Sequence, residues 1–347
     1  MSVVLFPNFG GEEGDPPPTD GGRPSSRAAP TAQALVLRHL AQAWTEIFSP
    51  TSAFGDVDDA GALLVAWLNT RRAADQAQRL RCSLFGSPPD IVDIVHDKAF
   101  CADVVARHQL LPAEVLETLK VIDPADLDVD ALAKAILPPR WLKNSRFGYA
   151  FKPRFGSSGR GRVDSRRPQS EWAQALPRLR ARGGVVVEPW FNRVVDLSAI
   201  WRIHDDGRIA LLGTTTALVS PSGVWGAAEM IIDDDGIPRS VGRSPAPGQQ
   251  GHAISVWERQ LVDESFFVVE AAASAGYRGP CGVDAFVFKG PTGMPLLRLV
   301  ELNARFTAGL VAVALALASK QRQPGSVLIF QPSTSPILFS RSAPASE

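Results

Sequence analysis

The chain has 347 residues, 45% hydrophobic and 21% charged, which is ordinary for a globular protein and enough for two or three subdomains around a sizeable core. Basic and acidic residues balance at 36 each, so no global field recruits nucleic acid or an anionic membrane. Three scattered cysteines, Cys82, Cys101 and Cys281, support neither a disulfide framework nor a zinc site, and no apolar run of about 18 or more residues offers a membrane span. A soluble protein of the reducing cytoplasm is expected.

Val3–Phe6 is a β-branched and aromatic run that ends at Pro7-Asn8-Phe9-Gly10-Gly11, which predicts a first buried strand. Residues 11–30 collect proline, glycine, serine and acidic side chains and read as a flexible segment. Helical spacing follows at Ala34, Leu35, Leu37, Leu40, Trp44 and Ile47, and again at Leu63, Leu64, Trp67 and Leu68. Residues 1–95 thus read as a small α/β unit. Residues 89–95 form a compact apolar run that predicts a buried strand. Asp97 can cap the helix after it, which leaves Lys98 in a first turn whose dipole opposes its charge. A lysine there is either idle at the surface or turned to an anionic ligand, and His96 reads as a hydrogen-bonded loop histidine.

Residues 113–142 predict one or two helices, with Leu127, Leu132 and Ile136 packed. Residues 170–182 predict an amphipathic helix with Trp172, Leu176 and Leu179 inward, stopped by Gly183-Gly184. The strand Val185-Val186-Val187 runs into Glu188-Pro189-Trp190-Phe191. Alternating runs within 194–232, with Asp205-Asp206-Gly207 between two of them, predict a β-hairpin. Residues 233–252 read as a long loop, 254–275 as a helix, 281–288 and 295–302 as paired strands, 308–318 as a final apolar helix, and 331–347 as an unpacked tail.

Two stretches carry chemistry. In Tyr149-Ala150-Phe151-Lys152-Pro153-Arg154-Phe155-Gly156-Ser157-Ser158-Gly159-Arg160-Gly161, a strand with one lysine meets a loop whose glycines permit close backbone approach to a ligand. Such a loop either cradles an anion with its N–H groups or is a basic hairpin connection, and its order fits neither a P-loop nor a dinucleotide motif. The second stretch is the last strand pair. Alternation puts Glu301 and Asn303 on one face of Leu299-Val300-Glu301-Leu302-Asn303, with Asp284 on the neighbouring strand. Three hard-oxygen side chains of this kind hold Mg²⁺ together with substrate phosphates, unless the face is simply exposed to water.

With these elements in this order, residues 90–318 resemble the ATP-grasp superfamily. The resemblance implies a mixed α/β (α+β) ATP-grasp fold. A pre-ATP-grasp domain would cover 1–95 and the ATP-grasp domain 96–320, divided into a small central lid subdomain at about 143–190 and a C-terminal antiparallel-sheet subdomain at about 191–320. It implies that Lys98 and Lys152 bind nucleotide phosphates and that Gly156, Ser157, Ser158, Gly159 and Gly161 close over them. The hinge Glu188, Pro189, Trp190 and Phe191 would hold the adenine edge, and Asp196 the ribose. Asp284, Glu301 and Asn303 would hold Mg²⁺ (or Mn²⁺), and Arg305, with Lys152, would stabilise the transferring phosphoryl group. Many relatives carry an arginine two residues before the first metal-binding Asp. This chain has Gly282 there, so a phosphate contact must come from Arg305, Arg202 or Arg154.

The reaction implied is the ATP-dependent joining of a carboxylate to an amine or thiol through an acyl phosphate, with release of ADP and phosphate. A kinase on the same scaffold and a non-catalytic nucleotide-binding module are the alternatives. The expected partners are small-molecule carboxylate and amine substrates, a peptide included, with a homodimer open and neither nucleic acid nor membrane.

Overall fold

The computed structural model describes residues 3–8, 43–44, 62–136, 148–156, 161–219, 225–243, 252–320 and 322–331, and the backbone of 337–341. The predicted flexible segment 11–30, most of the first helical stripe and Ser157, Ser158 and Gly159 lie outside the described residues.

The N-terminal strands β1 (Val3–Phe6), β2 (Leu63–Ala66) and β3 (Ser83–Leu84) form a parallel sheet in the order β1-β2-β3. β1 is an edge with Val3 exposed and its other residues half-buried, so the expected buried strand is corrected to a sheet edge. Two further expectations are overturned in opposite senses. Where helical spacing was expected at Leu63, Leu64, Trp67 and Leu68, the first two lie in β2 and the other two just after it, because a short run that is apolar at every position suits a parallel strand covered on both faces. The predicted strand at 89–95 is the helix Pro89–His96, which begins on proline, buries Val92 and Val95, and leaves Ile94 exposed with the acids. His96 is therefore a buried helix end rather than a loop histidine.

A second sheet, β4 (Lys120–Ile122), β5 (Tyr149–Pro153), β6 (Val163–Asp164) and β7 (Val185–Pro189), is antiparallel in the order β4-β7-β5-β6. The short edge β4 stands where only helices were expected, beside the helices Ala113–Leu116 and Val129–Ala135. One face packs Phe151, Val185 and Val187 on Trp172, Leu176 and Leu179 of the helix Gln169–Ala181, with Leu127 and Leu132. At the stop signal, Gly184 has φ +90° and a Cβ there would lie 2.2 Å from the carbonyl oxygen of Ile122, so no other residue fits.

The third sheet is large and antiparallel. Its order is β12 (His252–Ile254), β11 (Pro238–Arg243), β10 (Trp225–Ile232), β9 (Ile209–Val219), β8 (Arg193–Ile203), β13 (Gly279–Lys289), β14 (Pro295–Asn303), and β15 (Val327–Gln331) pairs with both β10 and β16 (Ile337–Arg341). The long loop expected at 233–252 is thus interrupted by two strands, and the expected unpacked tail carries a strand at 337–341. The helices Lys98–Arg107 and Glu258–Ser274 cover one side through Val104, Leu261 and Val268 against Leu197, Trp201 and Leu302. On the other side the helix Ala308–Ala318 packs Leu310 and Val313 near Ile200, Met230 and Phe330. The fold is the mixed α/β layout expected, with a curled antiparallel sheet.

Candidate active site

Asp284 on β13 lies in register with Glu301 on β14 and with Ser198 on β8. Asn303 Nδ2 donates to Asp284 Oδ2 at 2.8 Å, and Ser198 Oγ donates to Asp284 Oδ1 at 2.6 Å. Burial and the charge of Glu301 push the Asp284 carboxyl up from 3.8 to about 6, against the pull of Ser198, Arg305 and Asn303. Burial acts on Glu301 in the same direction, but Lys98 outweighs it and holds that carboxyl below its ordinary value. Lys98 Nζ lies 2.8 Å from Glu301 Oε2 and donates to Gly156 O at 2.5 Å. Asp97 caps the helix of Lys98 as expected, accepting from Ala99 N–H at 2.8 Å, and it also receives Arg154 from the glycine-rich segment. His96 Nδ1 accepts from Ala304 N–H at 3.2 Å, which ties the lysine-bearing segment to the end of β14.

At the other end, Glu188 on β7 is buried between Lys152 and Arg298, one carboxylate oxygen to each. Burial pushes the Glu188 carboxyl up, yet Arg298 and Lys152 overcome it and hold it at about 2. Lys152 is itself shifted down, first by burial, with Arg193 and Arg298 acting in the same direction against Glu188. In the hinge, Trp190 N–H donates to Gly148 O at 2.8 Å and Phe191 N–H to Pro189 O at 3.0 Å. The Phe191 ring is buried with its centre 4.2 Å from that of Phe288, and the Arg162 guanidinium lies 4.4 Å from the centre of the Trp190 ring. Asp196 stands opposite Phe286 on the same face as Ser198 and accepts from Arg193 Nη1 at 2.6 Å.

Of the residues singled out in the sequence, Lys98, Gly156, Asp284, Glu301 and Asn303 meet at one end of this face, and Lys152 and Glu188 meet at the other. Gly161 has φ +77° and packs close to Arg182, apart from those contacts. Among the arginines considered for Gly282's missing partner, Arg154 is held by Asp97 and Asp123, whereas the charge of Arg305 acts on Asp284. Two residues were missed. Ser198 gave no signal beyond its alternation. Arg298 did, as a lone charge among the apolar residues of the first half of β14. Among the described residues no three His, Cys, Asp or Glu side chains cluster as a metal cage. Two carboxylates and an amide are nevertheless the sparse oxygen set that Mg²⁺ uses when phosphates and water complete its shell.

The chain is similar in structure to biotin carboxylases and carboxyaminoimidazole ribonucleotide synthases. It matches the biotin carboxylase domain of Hydrogenobacter thermophilus 2-oxoglutarate carboxylase, a complex with MgADP, ADP and bicarbonate, at TM-score 0.49 and 13% identity over 85% of this chain and 60% of that one. It matches Campylobacter jejuni biotin carboxylase, a beta-gamma-ATP complex, at TM-score 0.47 and 11% identity over 77% of this chain and 58% of that one. Carboxyaminoimidazole ribonucleotide synthase from Aspergillus clavatus, complexed with ATP, gives TM-score 0.45 and 13% identity over 85% of this chain and 78% of that one. The chain therefore spans about three fifths of the length of the two carboxylases. No protein-family model and no curated protein matches it. Among the described residues no helix is long and apolar enough to cross a membrane.

Proposed function

We propose that this chain is an ATP- and Mg²⁺-dependent ligase that joins a carboxylate to an amine or thiol through an acyl phosphate, releasing ADP and phosphate, in a reducing cytoplasm. The observation that carries the reading is one cluster of largely buried charges, with cations in excess near the hinge and two facing carboxylates on the sheet. Lys152 and Arg298 exceed Glu188 at the hinge, and on the sheet Asp284 and Glu301 face each other beside Lys98, with the charge of Arg305 also acting on Asp284. A magnesium nucleotide has the complementary pattern, an anionic phosphate chain that carries a divalent cation. Asp284, Glu301 and Asn303 would hold the metal, which supplies charge neutralisation to the phosphates. The shared burial of Asp284 and Glu301 fits that role, because a cation between them offsets the burial and the mutual repulsion that push the Asp284 carboxyl up.

Lys98 and Lys152 would leave their carboxylates for the phosphates, and Gly156 to Gly161 would shield the reacting group from water. Arg305 would stabilise the charge on the transferring group. Asp196 would orient the ribose. Phosphoryl transfer needs little more than such positioning and charge neutralisation.

The test has two stages. Calorimetry should detect Mg-ATP binding to the folded chain, and its absence would sink the reading. A screen of small carboxylates with pooled amines should then release phosphate and give a product lighter by one water than its substrates. A product heavier by a phosphoryl group would make the enzyme a kinase. Glu301→Gln should lower turnover by on the order of a hundredfold or more with the fold intact, and wild-type turnover would make Glu301 a structural carboxylate.

A further inference from the structure

Arg298 is 3% exposed, the lone charge among the apolar residues at the start of β14. It stands three positions before Glu301, so a regular strand would turn the two to opposite faces. β14 is not regular. Asp284 pairs with Glu301 and Ala285 with Leu299, which leaves Val300 as an extra residue and returns Arg298 to the face of Glu301. There it pairs with Phe286, one position from Asp284 on that face and roughly 7 Å toward the hinge. Phe286 in turn stands opposite Asp196.

The guanidinium is only partly satisfied. Nη2 donates to Glu188, whereas Nε and Nη1 are buried with no acceptor among the described residues. The rings of Phe191 and Phe286, 5.8 and 6.0 Å from the guanidinium carbon, offset part of the buried charge but offer no in-plane lone pair. Buried donors without acceptors are rare in native folds and call for a specific explanation. The hinge N–H groups nearby are in the opposite state, since those of Trp190 and Phe191 are already bonded within the chain.

We propose that Arg298 is a nucleotide-binding residue: its Nε–H and Nη1–H donate to an acceptor on the hinge side of the nucleotide, the purine N7 or an α-phosphate oxygen, while Nη2 holds Glu188. The inference rests on the nucleotide reading of this site. Its place level with Asp196, away from Asp284 and Glu301, favours those acceptors over the terminal phosphate.

Calorimetry on the full chain with Mg-ATP, Mg-7-deaza-ATP, AMP and adenosine tests it, for wild type, Arg298→Lys and Arg298→Met. Arg298→Lys keeps the charge and loses the planar fork, so Mg-ATP should bind about tenfold or more weakly. If N7 is the acceptor, wild type should bind the 7-deaza analogue about tenfold more weakly than ATP, and Arg298→Lys should not distinguish them. If the α-phosphate is the acceptor, wild type should treat both alike, and its preference for AMP over adenosine should vanish in Arg298→Lys. Thermal melts accompany each variant, and if Arg298→Met fails to fold, wild type and Arg298→Lys carry the comparison. The proposal is overturned if Arg298→Lys matches wild type for all four ligands or weakens all four by one common factor. A wild type that binds none of them removes the nucleotide reading itself, and this inference with it.

Discussion

Near the hinge one carboxylate lies directly between two cations, whereas on the sheet two carboxylates face each other and Lys98 pairs with Glu301 alone. The acids answer in opposite directions: Glu188 is held down at about 2 and Asp284 is pushed up to about 6. Burial raises both, so the sign of each shift is decided by the neighbours. A buried carboxylate is therefore not one kind of object. Glu188 is a fixed counter-ion for the groups around it, and Asp284 is a carboxylate held at a cost, which the proposed metal ion would relieve.

Three substitutions sharpen or break this contrast. The largest effect is expected at Glu188→Gln, which leaves Lys152 and Arg298 buried without their counter-charge. A loss of about 3 to 5 kcal/mol is expected in denaturant unfolding, and a loss below about 1 kcal/mol would mean that Glu188 does not balance these cations. Asp284→Asn should act in the other sense, stabilising the metal-free chain by about 2 kcal/mol above pH 6 while abolishing divalent-cation binding. Between its ordinary 3.8 and about 6 the folded Asp284 holds more proton than the unfolded one, so wild-type stability falls as pH rises through that window. The asparagine variant should lose that fall. Glu188 has the opposite profile, because its contribution is full above its ordinary 4.5 and is lost as pH drops toward 2. Stability curves from pH 2 to pH 8 for the two variants would separate the ends, and parallel curves would erase the distinction.

The smallest effect is expected at Ser198→Ala. It removes one hydrogen bond to Asp284 and should cost about 1 kcal/mol where Asp284 is ionised and less where it is protonated. A loss independent of pH would mean that the hydroxyl contributes packing alone.

The sequence by itself was enough for those parts of the site whose partners lie close along the chain. Strict alternation puts Glu301 and Asn303 on one face, the short connection from β13 brings Asp284 beside them, and Asp97 caps the helix of Lys98. The helix Ala308–Ala318 and the helix stopped at Gly183-Gly184 were legible for the same reason, since periodicity and glycine act within a few residues. Short apolar runs such as 63–68 and 89–95 carry no such information. A strand and a helix can both bury six apolar residues, so it was the tertiary neighbours that made one run the middle of a parallel sheet and the other a helix beside the site. The hinge end was decided almost wholly in three dimensions. The pairing of Glu188 with Lys152 and Arg298 joins three strands, 36 residues apart in one case and 110 in the other. The bulge at Val300 reverses the side on which alternation would place Arg298. An extra residue in a ladder is defined by the strand it pairs with, and no local pattern in β14 contains that strand.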